Sequence, residues 1–421
     1  MIVGLADTMM VGQLGATPLA AISLANNIFV IGMVFGIGLA TGLTPLSGKD
    51  FAAGDRLKAS EWFKNGILTF PVIAIFQTVL MALVVFLLPY MGQPADVVQM
   101  AIPYYLILVV SFIPIILFIV FKQYAEGLGN TQIAMRITVG INVLNIILNY
   151  LLIYGKFGFP ELGAFGAGVA TLVARLIMPI IFIIVFFKLP LFRPDVENWR
   201  KCSLSMKTVN RLLQLGFPIA GQLIVEVSTF SIGGIMMGWL GAAALAANQV
   251  VLSLSSFTYM VASGFAASAT IKASHFRGQG LTKQAKDAAF ASLHLVLFFM
   301  GICVIFFIIF RFKIPALFVP DEEVIKIAAM LMLIAGLYQF FDGIQVVMLG
   351  ALRGFEDVKI PMIILIAAYF PITLPICYIL AFIFELGAAG VWIGYLTGLF
   401  IVSTLLLARF KLISGRSRIT M

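Results

Sequence analysis

Charge is scarce in this sequence. Only 11% of its 421 residues are Asp, Glu, Lys or Arg, while 62% are hydrophobic; a soluble chain of this length carries roughly a quarter of its residues as charges. That deficit excludes an ordinary soluble enzyme or binding domain. Cysteine and histidine are almost as rare. Cys202, Cys303 and Cys377 are widely separated and match no disulfide or metal-ligand spacing, and His275 and His294 cannot build a zinc site alone. HExxH, GxGD and GxSxG motifs are missing, so an intramembrane enzyme has little catalytic material. The chain is therefore expected to be no enzyme and to need no cofactor. Strict apolar–polar alternation is also lacking, which disfavours a membrane barrel. No cleavage site precedes a soluble domain, so a secretory signal does not apply.

What is present is a series of apolar runs near the length that crosses a bilayer as a helix. They cover 1–14, 22–47, 65–90, 99–122, 132–154, 165–187, 208–238, 243–272, 288–311, 324–350, 359–383 and 388–409. This predicts an all-α polytopic membrane protein with twelve transmembrane helices, the first one short. The longest polar stretch is the linker from Lys188 to Arg211. Lysines and arginines number 27 against 18 acids, and their placement explains the excess. With both termini cytoplasmic, 22 of the 27 fall on the inside, which fits the positive-inside rule. Lys156, Arg311, Lys313 and Lys326 fall outside, and Arg175 lies within a span. The basic balance is a topology signal and not a nucleic-acid footprint. In the linker, six basic residues and Trp199 suit a cytoplasmic position along the anionic headgroup layer.

The chain is written twice. "MMVGQLGATPLAA" (9–21) resembles "IMMGWLGAAALAA" (235–247) at a shift of 226, which also puts Gly38 on Gly264, Thr44 on Thr270 and Gly54 on Gly280. "GLGNTQIAM" (127–135) falls on "GFEDVKIPM" (354–362) at 227, and "ELGAFGAG" (161–168) on "ELGAAGVW" (385–392) at 224. Three separate matches at nearly one shift imply two related halves of six spans each. An even number of spans keeps both halves in the same orientation, giving two pseudosymmetric bundles with a cavity between or within them, the architecture of an alternating-access transporter. The expected domains are an amino lobe 1–187, the linker 188–211, a carboxy lobe 212–409 and a cytoplasmic tail 410–421.

Three acids lie inside spans: Asp7, Glu226 and Asp342. An ionisable group at membrane depth costs at least a few kcal/mol, so it usually faces an interior and acts there. Desolvation favours the neutral carboxyl, whereas a bound cation favours the ionised one. Exchange of H+ or Na+ against another cation needs that competition at one carboxylate. Pro218 removes a helix hydrogen bond eight residues before Glu226 and permits a bend. "INVLNIILNY" places Asn142, Asn145 and Asn149 in the fifth span, with Asn145 and Asn149 four apart on one face. With Asp7 and Thr171 they form a hard-oxygen set suited to Na+, or a proton relay; the bland alternative is that Asn and Thr glue helices together. Arg175 either pairs with an acid or snorkels. Some of the 19 Met and 38 Phe residues can line an adaptable cavity for aromatic cations.

At these residues the chain resembles a known family. "GLADTMMVGQLGATPLAAISLANNIF", "GLTPLSGKDFAAGD", "GLGNTQIAM", "GFPIAGQLIVEVSTF" and "YQFFDGIQVVMLGALRGFEDVKIPM" are similar, in order, to the multidrug and toxic compound extrusion family, nearest its NorM-type bacterial branch. The resemblance implies a twelve-helix, two-lobed, V-shaped antiporter in the plasma (inner) membrane, a monomer that exports organic cations and drugs against inward Na+ or H+. It implies Asp7, Asn145, Asn149 and Thr171 as the amino-lobe cation site and Glu226 and Asp342 as the acids of the carboxy lobe. Na+ is expected at one of these two sets. The alternative within the wider superfamily is a lipid-linked oligosaccharide flippase, for which an Arg-lined cavity is expected; here the intramembrane charge is acidic, three to one.

One expectation concerns the start of the chain. A shift of 226 maps the start of the seventh span, near Thr208, about eighteen residues before Met1, so Asp7 reads as a mid-membrane residue of an incomplete first helix. Asp7 is then expected to face Asn145 and Asn149, with an unfilled gap on the cytoplasmic side of the first lobe.

Overall fold

A computed structural model describes residues 10–416. Eleven helices among the described residues are long and apolar enough to cross a membrane: α1 (Thr17–Ala52), α2 (Arg56–Tyr90), α3 (Ala95–Gly127), α4 (Gln132–Tyr154), α5 (Gly163–Lys188), α6 (Met206–Trp239), α7 (Ala242–Gly278), α8 (Thr282–Phe310), α9 (Glu322–Gly354), α10 (Lys359–Ile383) and α11 (Gly387–Gly415). They match the last eleven runs read from the sequence. The first run, 1–14, lies mostly outside the described residues, as do Asp7 and the expectations attached to it. Helices are the only open-ended answer to a hydrocarbon solvent, because each satisfies its own backbone groups. Several extend well past the apolar run that marks them. The 37 residues of α7 rise about 56 Å, against about 30 Å of hydrocarbon, and its last turn carries His275 and Arg277.

Polar caps and breaks set the helix ends and bends. Asp55 accepts from the Lys58 N–H at the start of α2, and Asp321 accepts from the N–H groups of Glu323 and Val324 at the start of α9. α1 is interrupted at Gly42, and α3 at Ser111, whose Oγ donates to the Leu108 carbonyl (2.6 Å). α10 contains two π-helical turns, Tyr369–Thr373 and Ile379–Ile383, around Pro371 and Pro375. Proline has no N–H for the helical ladder, and the wider turn absorbs the defect. Outward faces are apolar and exposed, as at Phe86, Phe298 and Ile309. In a membrane helix that is a lipid-facing surface.

The chain divides into two compact units, 1–220 and 221–421, with the division inside α6. Within each unit the internal repeat is visible as repeated chemistry. In the first, Thr44 Oγ1 donates to the Gln123 carbonyl (2.9 Å); in the second, Thr270 Oγ1 donates to the Gly350 carbonyl (2.8 Å). A side chain at Gly127 would strike residues 44, 47 and 48, and one at Gly354 would strike 270, 273 and 274, the same positions shifted by 226. Gly166 lies against the backbone of Leu152 and Ile153, and Gly390 against that of Leu380 and Ala381. These small residues let backbones approach where lipid offers no hydrophobic drive for association. The last pair carries a detail. Position 152 corresponds to 380 at a shift of 228, whereas the start of the same helix corresponds at 227. Relative to α4, α10 therefore holds one extra residue, and π turns accommodate it.

Unit 1 packs on aromatic rings. Phe63 stacks on Tyr124 (4.4 Å between centroids) and lies beside Phe186 (5.0 Å), which stacks on Phe192 of the linker (4.8 Å). The linker 188–211 is locked down. Asp195, 1% exposed, accepts from Arg56 through both Oδ1 (3.0 Å) and Oδ2, from Ser60 Oγ (2.6 Å) and from the Tyr124 hydroxyl (2.5 Å). Lys64 Nζ donates to the carbonyls of Trp199 (2.9 Å) and Cys202 (3.0 Å) and sits over the Trp199 ring. Asn65 pairs with Ser203 and Ser205. All six basic side chains of the linker remain exposed. The linker is thus a docked strap whose cations lie at the surface.

Candidate functional site

Glu226 on α6 and Asp342 on α9 are both buried in unit 2, 8% and 2% exposed, and stand within electrostatic range of each other. Glu226 Oε1 accepts from Gln345 Nε2 (3.1 Å), and Gln345 Oε1 accepts from the Tyr369 hydroxyl (2.7 Å). One turn from Glu226, Gln222 Oε1 accepts from Arg353 Nη2 (3.0 Å), and Gln222 Nε2 donates to the Val358 carbonyl (3.0 Å). Asp342 has no hydrogen-bond or ion-pair partner among the described residues. One turn from it, Gln339 Oε1 accepts from Thr258 (2.6 Å), while Gln339 Nε2 is buried without a partner. An aromatic wall stands alongside: Tyr338 packs on Trp392 (5.5 Å) and Phe230 on Tyr395 (5.2 Å). Two carboxylates, unspent polar groups and electron-rich ring faces together can hold an inorganic cation or the charged head of an organic one.

In unit 1, Asn145 and Asn149 are buried on α4, and Asn149 Nδ2 donates to Asn145 Oδ1 (3.3 Å). Thr171 is half-buried on α5. α4 and α5 run antiparallel and touch where Gly166 meets Leu152. At 1.5 Å per residue, Thr171 stands about 7.5 Å above that contact, between the levels of Asn149 and Asn145. Arg175, one turn beyond Thr171, donates to Ser111 Oγ (2.7 Å) at the break in α3 and lies over the Phe29 ring (4.9 Å). Asp7 is outside the described residues.

Several participants were not singled out in the sequence. Gln345 is three residues from Asp342 and Gln222 four from Glu226, so helical spacing from the acids points to both. Arg353, counted as a cytoplasmic topology signal, turns inward to Gln222, so Arg175 is not the only basic group engaged within a bundle. Tyr369 carries no such signal, because its neighbours in the network lie on other helices.

Repeated helical bundles with buried carboxylates and no soluble domain among the described residues define a class, the membrane transport protein built by internal duplication. Comparison places the chain within it. The MatE family model matches residues 1–151 and 218–379. A probable multidrug resistance protein NorM of Pasteurella multocida is 33% identical over 98% of this chain and 90% of its own length. The multidrug resistance protein NorM of Photobacterium profundum is 32% identical, over 98% and 92% respectively. Among solved structures, the eukaryotic MATE transporter AtDTX14 superposes with a TM-score of 0.87 at 22% identity, covering 99% of this chain and 94% of that one. An outward-facing multidrug resistance MATE transporter of the MOP superfamily also gives 0.87, at 19% identity, covering 100% and 93%. The chain belongs to the MatE family, the multidrug and toxic compound extrusion proteins, and within it to the NorM-type bacterial branch.

Proposed function

We propose that the chain is a secondary antiporter that exports organic cations and drugs in exchange for Na+ or H+ by alternating access. The observation that carries this reading is Asp342. It is 2% exposed, midway along a membrane helix, with no hydrogen-bond or ion-pair partner among the described residues. Such a carboxylate is costly unless it is neutralised by a proton, a metal ion or a cationic substrate in turn, and alternation among those occupants is antiport. Glu226 and Asp342 serve as the carboxy-lobe cation and substrate site, and the tyrosine and phenylalanine faces near them receive the flat part of an organic cation. Asn145, Asn149 and Thr171, with Asp7, form the amino-lobe cation site. The lobes run 1–187 and 212–409, the linker 188–211 and the tail 410–421 are cytoplasmic, and the protein acts as a monomer in the inner membrane without a cofactor. The relatives named above for multidrug resistance support the direction and breadth of transport. The test is efflux of a fluorescent organic cation from proteoliposomes under separately imposed Na+ and proton gradients. Efflux driven by one gradient identifies the coupling ion; efflux driven by neither sinks the antiporter reading.

A further inference from the structure

A cavity of about 850 Å³ opens among the polar ends of α2 and α6, within the first unit. Lys58, Glu61 and Trp62 line it from α2, and Lys207, Asn210 and Arg211 line it from α6. Its size falls in the range of small-molecule sites, and none of the described cation-site residues lines it. The charge of Lys58 is offset: its Nζ sits 3.5 Å from Asp50 Oδ2, which also accepts from Trp62 Nε1 (2.6 Å). Lys207 and Arg211 then face a single carboxylate, Glu61, whose Oε1 accepts from Ser203 Oγ (3.0 Å) and Thr208 Oγ1 (3.3 Å). Two cations against one acid leave a single positive charge, equal and opposite to that of a phosphodiester.

The placement of these cations is unfavourable for the helix that carries them. Lys207 is the second residue of α6 and Arg211 lies four residues on, so like charges share one face at the positive end of the helix dipole. No acid occupies the first turn to offset them. An anion in the cavity reverses the sign of both effects and meets the backbone N–H groups of that turn, the arrangement that holds phosphate at helix N-termini. Along both helices the chemistry then changes. Leu68 stands two turns beyond Glu61 on α2 and Phe217 two turns beyond Asn210 on α6, each about 10.5 Å further into its span on the same face. Both are apolar and exposed. We propose that the cavity is a binding site for a phosphate-bearing anion, held by Lys207, Arg211 and the first turn of α6. A charged recess that gives way to exposed apolar faces favours a phospholipid headgroup as its source over free phosphate. A bound diester ties the start of α6 to the start of α2.

Native mass spectrometry of the full chain in detergent, titrated with phosphatidylglycerol or phosphatidylcholine, tests this. The anionic lipid should fill a saturable site about tenfold more tightly than the zwitterionic one, the effect of a hydrogen-bonded charge. Lys207→Gln and Arg211→Gln should each weaken that binding about tenfold, the loss of a hydrogen bond to a charged group. Glu61→Gln should tighten it severalfold, because a like charge beside the phosphate is gone. That change of sign is one a merely structural role would not give. Arg200→Gln combined with Lys201→Gln removes as much charge from the strap outside the cavity as the double cavity variant, and should leave the affinity unchanged. Competition with millimolar inorganic phosphate separates the sources. Displacement of the lipid assigns the site to soluble phosphate; lipid that stays bound assigns it to the headgroup. Wild-type affinity in the Lys207→Gln, Arg211→Gln double variant overturns the site. So does an equal loss in the Arg200–Lys201 control, which would reduce the binding to diffuse attraction. These are binding readouts, so they hold whether or not efflux is driven by an ion gradient.

Discussion

Replacing Asp195 with alanine removes the carboxylate that ties the strap to the first bundle. Its two oxygens collect donors from Arg56, Ser60 and Tyr124. Removing one partner of a buried ion pair costs about 3–5 kcal/mol, because the other charge is stranded. Arg56 is 19% exposed at its side chain and can turn toward water, which argues for the lower end, about 3 kcal/mol. Cys202 reports the result. It is 6% exposed, its thiol lies against the Leu57 carbonyl (3.8 Å), and burial pushes the thiol up from its ordinary value. It reacts with a maleimide only when the strap opens. A loss of about 3 kcal/mol multiplies the open population roughly 100-fold, since each 1.4 kcal/mol is a factor of ten. The assay is mass-spectrometric labelling kinetics at Cys202, with Cys303 and Cys377 read in the same digest. The pH sign also follows. A thiol raised in the folded state favours the closed strap fully below its unfolded value, and that support is lost as pH rises through the folded value, so labelling steepens in alkali. Asp195→Ala combined with Arg56→Ala should cost less than the two singles together. If Asp195→Ala labels at the wild-type rate, Asp195 does not hold the strap.

Asp342→Asn should insert and fold normally yet lose gradient-driven efflux; wild-type transport by that variant would count decisively against Asp342 as a coupling group. Gly127→Val and Gly354→Val should each destabilise the protein by about 1–3 kcal/mol of overpacking, seen as similar drops in melting temperature in detergent, because each drives a side chain into the same repeated backbone. A large drop in one and none in the other would contradict their equivalence. Asn149→Ala should change the ion concentration needed for efflux severalfold, the loss of a buried polar contact worth about 1 kcal/mol; unchanged ion dependence would assign Asn149 to packing alone.

The sequence by itself determined the environment, the class and the duplication. Apolar runs of bilayer length leave the backbone no choice but helix, and a repeat is a one-dimensional pattern that survives in the letters. Glu226 and Asp342 were legible for the same reason: a carboxylate in an apolar run stands out before any contact is known. What only the tertiary structure decided is how these groups are partnered. Glu226, Gln345 and Tyr369 sit on three helices, and no spacing within one segment brings them together. The one-residue surplus of α10 is invisible until Gly166 and Gly390 mark equivalent contacts, because a π turn absorbs the insertion without interrupting the apolar run. The linker read as a basic surface segment, and its cations are indeed exposed, but its attachment depends on Asp195 and on Phe192, whose partners lie on the helices of the first bundle. Composition is fixed residue by residue; pairing depends on which helix faces meet, and that is settled only when close-packed neighbours leave each buried polar group a limited set of partners.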